Sequence, residues 1–300
     1  MAQDPRALLQ KACTQQPQLA DKAASAAGGG FSLFGGRAEK YENAVELYNQ
    51  AANAFRLQRD LVSAGKTFEK VAELQRSKLN EPDDAANTMV EAFKSYKKDE
   101  PESAARCLDQ AINHYTMKGN FRRAATQKQQ LAELYEVEIG DQKRACEAYE
   151  TAAGWFESDN AEALANKLYL KVADLSALEK DYYKSIASYE RVAKSSINNN
   201  LMKWSVKEYL LKAGICHLCT TDMVATNRAL ESYRDLDPGF TQTREHQLLV
   251  DLAEAVEEGD QEKFADKLFQ FDQMSKLDKW KTTLLLRVKE GIEEKGEDFS

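Results

Sequence analysis

Apolar residues recur in this chain at helical rather than strand spacing, and one arrangement of them returns almost from end to end. In ACEAYETAAGWF, residues 145–156, Ala145, Tyr149, Ala152 and Phe156 stand at i, i+4, i+7 and i+11; in AVELYNQAANAF, residues 44–55, Ala44, Tyr48, Ala51 and Phe55 do the same. That spacing puts all four on one helical face. Small residues there let a neighbouring helix approach, and the large ones fill the grooves beside them. The register restarts at Ala64, Ala85, Ala104, Ala124, Ala165, Ser185, Ser205 and Ala225, in steps of 19 to 21 residues. One helix plus a tight turn takes about 20 residues, so the pattern predicts antiparallel helical hairpins repeating about every 40.

The punctuation agrees with this reading. Asn80–Asp83 and Lys98–Pro101 place a proline just ahead of an apolar face, a helix-start signal. Gly119–Phe121, Gly140–Asp141 and Ser158–Asn160 separate later helices. A first short helix is expected within Asp4–Lys22, carrying Leu8, Leu9, Ala12 and Cys13. Beyond Leu236 the turn Asp237–Phe240 leads into a different pattern, with Leu248, Leu249, Leu252, Ala255 and Val256, then Phe264, Leu268, Phe269 and Phe271. A bundle there would close the open end of a solenoid. Trp280, Leu284, Leu285 and Val288 mark a last amphipathic helix. The expected fold is all-α: a tetratricopeptide-like twisted solenoid over residues 1–236, then a C-terminal helical bundle with an acidic tail over 237–300.

Composition narrows the function classes. The 300 residues include only five Pro and 14 Gly, and 43% are hydrophobic, which suits a folded helical protein. Lys and Arg number 41 against 49 Asp and Glu, a net charge of −8 that argues against nucleic acid as partner. No apolar stretch is long enough for a signal peptide or a membrane span, so a cytoplasmic, reduced protein is expected. The five Cys (Cys13, Cys107, Cys146, Cys216, Cys219) sit mostly inside helical patterns and read as core thiols.

No catalytic constellation is present, and no cofactor or metal is expected. Gly65, Lys66 and Thr67 end like a phosphate-binding loop, but Asp60 stands where that motif needs glycine and no strand pattern precedes it. Cys216, His217 and Cys219 resemble half a zinc site without its other half.

Three surface features remain. Phe31, Leu33 and Phe34 lie between the glycines of GGGFSLFGG; they would form either a local plug or an apolar finger for a membrane surface, with Lys22, Arg37 and Lys40 beside it for anionic head groups. Basic residues come in pairs: Arg122 and Arg123, Lys167 and Lys171, Lys203 and Lys207. Lys167 and Lys203 are 36 apart, close to one repeat, so the pairs could stack into a ridge, although isolated surface lysines are common. Past Gly291 the chain ends with Glu293, Glu294, Glu297, Asp298 and Phe299, too polar to bury.

The FSLFGG loop, the 20-residue register, GNFRRAA at 119–125, ANKLYLKVA at 165–173, KWSVKEYLLKAGICHL at 203–218 and LDKWKTTLLLRVKE at 277–290 together resemble the α-SNAP (soluble NSF attachment protein) family, essentially end to end. The resemblance implies a non-enzymatic adaptor, peripheral on membranes. It would bind SNARE complexes built from syntaxin-like, synaptobrevin-like and SNAP-25-like helices, and would recruit and stimulate the hexameric NSF ATPase for their disassembly in vesicle fusion. It assigns SNARE contact to Lys167 and Lys171, with Lys203, Lys207, Arg122 and Arg123 as additions. Membrane contact falls to Phe31, Leu33 and Phe34, and NSF contact to Glu293, Glu294, Glu297, Asp298 and Phe299. Two positions depart from the family: Thr126 stands where a lysine is usual, with Arg122, Arg123 or Lys128 near it, and Phe299 replaces a leucine. The rival reading is a generic tetratricopeptide-like peptide-binding scaffold, which would need neither the apolar loop nor the acidic tail.

Overall fold

From residue 35 onward, connections of two to nine residues between consecutive α-helices leave little choice but antiparallel packing of neighbours. The computed structural model describes residues 4–15 and 35–297, with side-chain positions over 4–11 and 38–292. Fourteen α-helices and no strand occur among the described residues. They divide into two compact units, Met1–Ala161 and Glu162–Ser300.

The first unit holds α1 (Pro5–Gln15), α2 (Gly35–Leu57), α3 (Leu61–Leu74), α4 (Pro82–Tyr96), α5 (Pro101–Met117), α6 (Phe121–Leu134) and α7 (Gln142–Ser158). Each packs on the next along the chain. The repeating face is the buried one: Ala44, Tyr48, Ala51 and Phe55 of α2, Ala104, Leu108, Ala111 and Tyr115 of α5, and Ala145, Tyr149, Ala152 and Phe156 of α7 are all in the core. In α3 and α6 the fourth register position, Gln75 or Tyr135, opens a π-helical last turn, Gln75–Leu79 and Tyr135–Ile139. The expected starts at Pro82 and Pro101 are the first residues of α4 and α5.

The second unit holds α8 (Glu162–Leu178), α9 (Tyr182–Ser196), α10 (Val206–Cys219), α11 (Met223–Leu236), α12 (Arg244–Glu258), α13 (Gln261–Met274) and α14 (Lys279–Glu297). α8 and α9 keep the register, with Ala165, Tyr169, Val172 and Ser176 buried, then Ser185, Tyr189, Val192 and Ser196. The next two starts differ from expectation by one residue. Ser205 is exposed and Val206 buried, and Thr226 rather than Ala225 enters the core. The cause is the longer connection after Ser196, which closes with a 3-10 turn at Lys203–Ser205 before α10 begins.

α10 is apolar on nearly every side and is packed accordingly. It touches α9, α11, α12 and α14, and Val206, Leu210, Leu211, Ala213, Ile215, Cys216 and Leu218 are all buried. One apolar cluster runs from Ala173 to Ile292 and takes in Phe240, Leu252, Phe264, Leu284, Leu285 and Val288. The turn at Asp237–Phe240 becomes a short 3-10 helix, Pro238–Gln242, that seats Phe240 in this cluster.

Candidate partner-binding surface

Four basic residues singled out in the sequence lie in the second unit. Lys167 and Lys171 are exposed on α8, at plus two and plus six from the register start Ala165. Residues 167, 171, 174 and 178 follow i, i+4, i+7, i+11 spacing, so the two lysines share a stripe with Asp174 and Leu178. Lys203 sits in the 3-10 turn with its ammonium 5.4 Å from the Trp204 ring centre. Lys207 forms an ion pair with Glu245 of α12 at 2.9 Å.

The register slip places these pairs on different faces. Counted from Val206, Lys203 is at minus three and Lys207 at plus one. At about 100° per residue along α10, Lys207 does not match the plus-two and plus-six positions of Lys167 and Lys171, and Lys203 lies in the 3-10 turn ahead of that helix. The positions of α10 that do match are Glu208 and Lys212. Both are engaged within the unit: Glu208 with Lys281 at 2.5 Å, Lys212 with Asp174 at 2.8 Å.

Arg122 and Arg123 open α6 in the first unit. Arg122 reaches Asp159 at 3.3 Å. Arg123 donates to Asn87 at 2.6 Å and lies 4.4 Å from the Tyr115 ring centre, which ties it to α4 and α5. Thr126 turns its hydroxyl back to the Arg122 carbonyl at 3.0 Å, and Lys128 reaches Asp109 at 3.5 Å.

Residues that periodicity alone passed over stand beside Lys203. Leu201 is 90% exposed and Trp204 75% exposed, so the turn before α10 shows solvent an apolar pair with a lysine between them. The signal for it was present: KW falls in the connection and outside the helical register.

Beside the C-terminal end of α10, a cavity of about 530 Å³ is lined from α10, α11, α12 and α14 by Leu218, Met223, Val256, Val288 and Ile292, together with Glu257 and Glu258. It lies beside the last described turns of α14. Glu293, Glu294 and Glu297 fall on the helical backbone there. Asp298 and Phe299 of the tail, and Phe31, Leu33 and Phe34 of the apolar loop, lie outside the described residues.

The Cys216, His217, Cys219 run disperses its side chains. Cys216 faces the Ser185 hydroxyl at 3.3 Å, His217 approaches Glu190 at 3.5 Å, and Cys219 points to the Leu284 carbonyl at 3.6 Å. Burial pushes the Cys216 thiol up to about 12, as it does Cys219, which leaves both as neutral packing groups. Burial also raises the Glu190 carboxyl, but hydrogen bonds with His217 and Tyr233 outweigh it and hold the group below its ordinary value. Among the described residues no cluster of His, Cys, Asp and Glu could hold a metal ion, and no helix is long and apolar enough to cross a membrane.

Fold and surface together define a helical-hairpin protein with a lysine stripe on one helix and a sequence rich in carboxylates at its C-terminus. The family model described as "Soluble NSF attachment protein, SNAP" matches residues 11–293. The chain is 52% identical over 300 residues to a "Probable vesicular-fusion protein sec17 homolog" of Neurospora crassa, covering 100% of both chains. It is 52% identical to the protein of that name from Schizosaccharomyces pombe, covering 94% of this chain and 98% of the relative. With the human "Alpha-soluble NSF attachment protein" it shares 38% identity over 89% of this chain and 90% of the relative. The chain belongs to the soluble NSF attachment protein family.

Proposed function

We propose that this protein is a vesicle-fusion adaptor that binds SNARE complexes and recruits and stimulates the NSF ATPase, which then takes those complexes apart. The observation that carries the reading is the exposed Lys167 and Lys171 stripe of α8, on an acidic chain that matches vesicular-fusion relatives over its whole length. A SNARE bundle is an acidic helical rod, and a row of lysines one turn apart suits its flank. Such contacts act chiefly on encounter and register. Leu201, Lys203 and Trp204 add an apolar and basic contact near α10, and Arg122 and Arg123 a basic one in the first unit.

The C-terminal end takes the second partner. Carboxylates from Glu293 to Asp298 steer a basic surface of the ATPase, and Phe299 supplies an apolar anchor. Glu257 and Glu258, which line the neighbouring cavity beside apolar residues, extend the same chemistry. Phe31, Leu33 and Phe34 form the membrane contact, which keeps the adaptor peripheral on the cytoplasmic face. Support for that assignment is their sequence alone: three large apolar residues between glycines.

Replacing Lys167 and Lys171 together by Glu tests the stripe. The double variant keeps its helical content, and its affinity for soluble SNARE complex falls on the order of tenfold at low salt, with a smaller loss as ionic strength rises. Unchanged affinity of the folded variant at low salt contradicts the assignment. A peptide-binding scaffold of the same fold would show no such dependence on these two lysines.

A further inference from the structure

The C-terminal helix is fastened to the lysine-bearing helix by hydrogen bonds that packing alone does not require. The Trp280 indole N–H donates to the Asp174 carbonyl at 3.0 Å. Seven residues on, and therefore on the same face of α14, Arg287 donates from both terminal nitrogens to the Ala177 and Leu178 carbonyls at 3.0 and 2.9 Å. The Ala177 and Leu178 carbonyls belong to the last turn of α8, where carbonyls have no intrahelical partner and positive charge is favoured; Ala177 also accepts from the Lys180 backbone N–H at 3.1 Å. The attachment is braced from α10 and α9. Lys212 binds the Asp174 carboxylate at 2.8 Å and lies 4.7 Å from the Trp280 ring centre, while Tyr189 donates to the same carboxylate and meets the Trp280 ring edge-on at 5.9 Å.

Asp174 is therefore the junction. Its stripe on α8 carries Lys171 one turn and Lys167 two turns earlier, and its main chain and side chain hold the helix whose far end carries the acidic tail. Nearby, Lys281 is almost fully buried between Asp278 at 2.9 Å and Glu208 at 2.5 Å, which fixes the start of α14 to α10 as well.

We infer that Trp280 and Arg287 are positioning residues that latch the C-terminal helix to the lysine stripe of α8, so that work done by an ATPase on the tail reaches the bound helical bundle. The inference rests on the adaptor reading above. It predicts a coupling role, separable from binding at either end.

The test is the pair Trp280→Phe and Arg287→Met in one chain, which keeps an aromatic ring and an aliphatic stem in place and removes all three donors. In the free protein, amide exchange across Lys279–Ile292 should quicken while α10 stays protected. With SNARE complex, NSF and ATP, the concentrations giving half-maximal SNARE binding and half-maximal ATPase stimulation should stay within about twofold of the parent, while disassembly at saturating adaptor slows on the order of tenfold and more ATP is hydrolysed per complex released. Arg287→Lys in the Trp280→Phe background should recover part of the rate, since an ammonium can donate to the same carbonyls. Unchanged exchange in α14 overturns the latch whatever the partner. Parent-like disassembly overturns the coupling role, and so does a loss matched by weakened binding at both ends, which is ordinary destabilisation. A parent protein that supports no disassembly overturns the adaptor reading itself, and with it the coupling role.

Discussion

Gly65 shows how one residue can carry opposite meanings in a string of letters and in a packed helix. Followed by Lys66 and Thr67 it imitates the end of a phosphate-binding loop, yet it lies inside α3 because a ring must pass close to the backbone there. A Cβ built at Gly65 would come within 2.6 Å of the Tyr96 ring. That ring is buried and cannot swing aside, since its hydroxyl donates to Glu69 at 2.8 Å and Arg106 holds the same carboxylate with two further bonds at 2.7 and 2.9 Å. Gly65→Ala should therefore destabilise the protein by about 1–3 kcal/mol. Gly154, also helical, has nothing within 4 Å of its built Cβ. Gly154→Ala should stabilise by roughly 0.5–1 kcal/mol, because alanine has the better helix propensity. Urea unfolding of the two variants beside the parent checks both, and equal effects would contradict the close-approach account. Absence of a strand pattern and of the motif's first glycine was enough to reject the loop from sequence. The partner ring, 31 residues away, could be found only in the fold.

Six helix junctions in this protein share one device. A residue in the left-handed region precedes an Asp or Asn whose side chain accepts from the backbone N–H three residues on: Arg59 before Asp60, Gly119 before Asn120, Gly140 before Asp141, Lys180 before Asp181, Thr221 before Asp222 and Gly259 before Asp260. Thr221, at φ 60°, is the poorest choice of these, because a β-branched side chain crowds the backbone there. Thr221→Gly should raise stability and Gly140→Ala should lower it, each by about 1 kcal/mol. Gly140 has open space around its built Cβ, so a loss there reports backbone conformation alone. Thermal unfolding of the two variants gives the signs, and a destabilising Thr221→Gly would contradict the argument.

At this scale most of the architecture could be read from the chain. The small-and-large register marks the buried face of successive helices because close helix approach demands that alternation. It failed at Ser205 and Ala225, where the connection from Ile197 to Ser205 changes the phase. Nothing in a periodic pattern counts the residues a linker will use, and Leu201 and Trp204 kept apolar letters in a segment that does not enter the core.

For the molecule as a whole, the informative contacts are those far apart in sequence. Lys167 and Lys171 were visible as a pair because helical spacing is local. The ion pair of Lys207 with Glu245 was not, nor was the engagement of Lys212 by Asp174, because each depends on which helices the second unit brings together. Trp280 was recognisable as part of an amphipathic helix, but its bond to Asp174 spans 106 residues. The second unit thus holds on one core both the stripe proposed for the SNARE complex and the helix leading to the tail proposed for the ATPase. The proposed function requires this chain to link the two partners productively. Its most direct test is a reconstitution of purified protein, fluorescently labelled soluble SNARE complex and NSF, with and without ATP. The complexes should come apart only when this protein and hydrolysable ATP are both present. Intact complexes in the full mixture, with an NSF that disassembles them when a relative such as the human α-soluble NSF attachment protein is supplied, would contradict the proposed function.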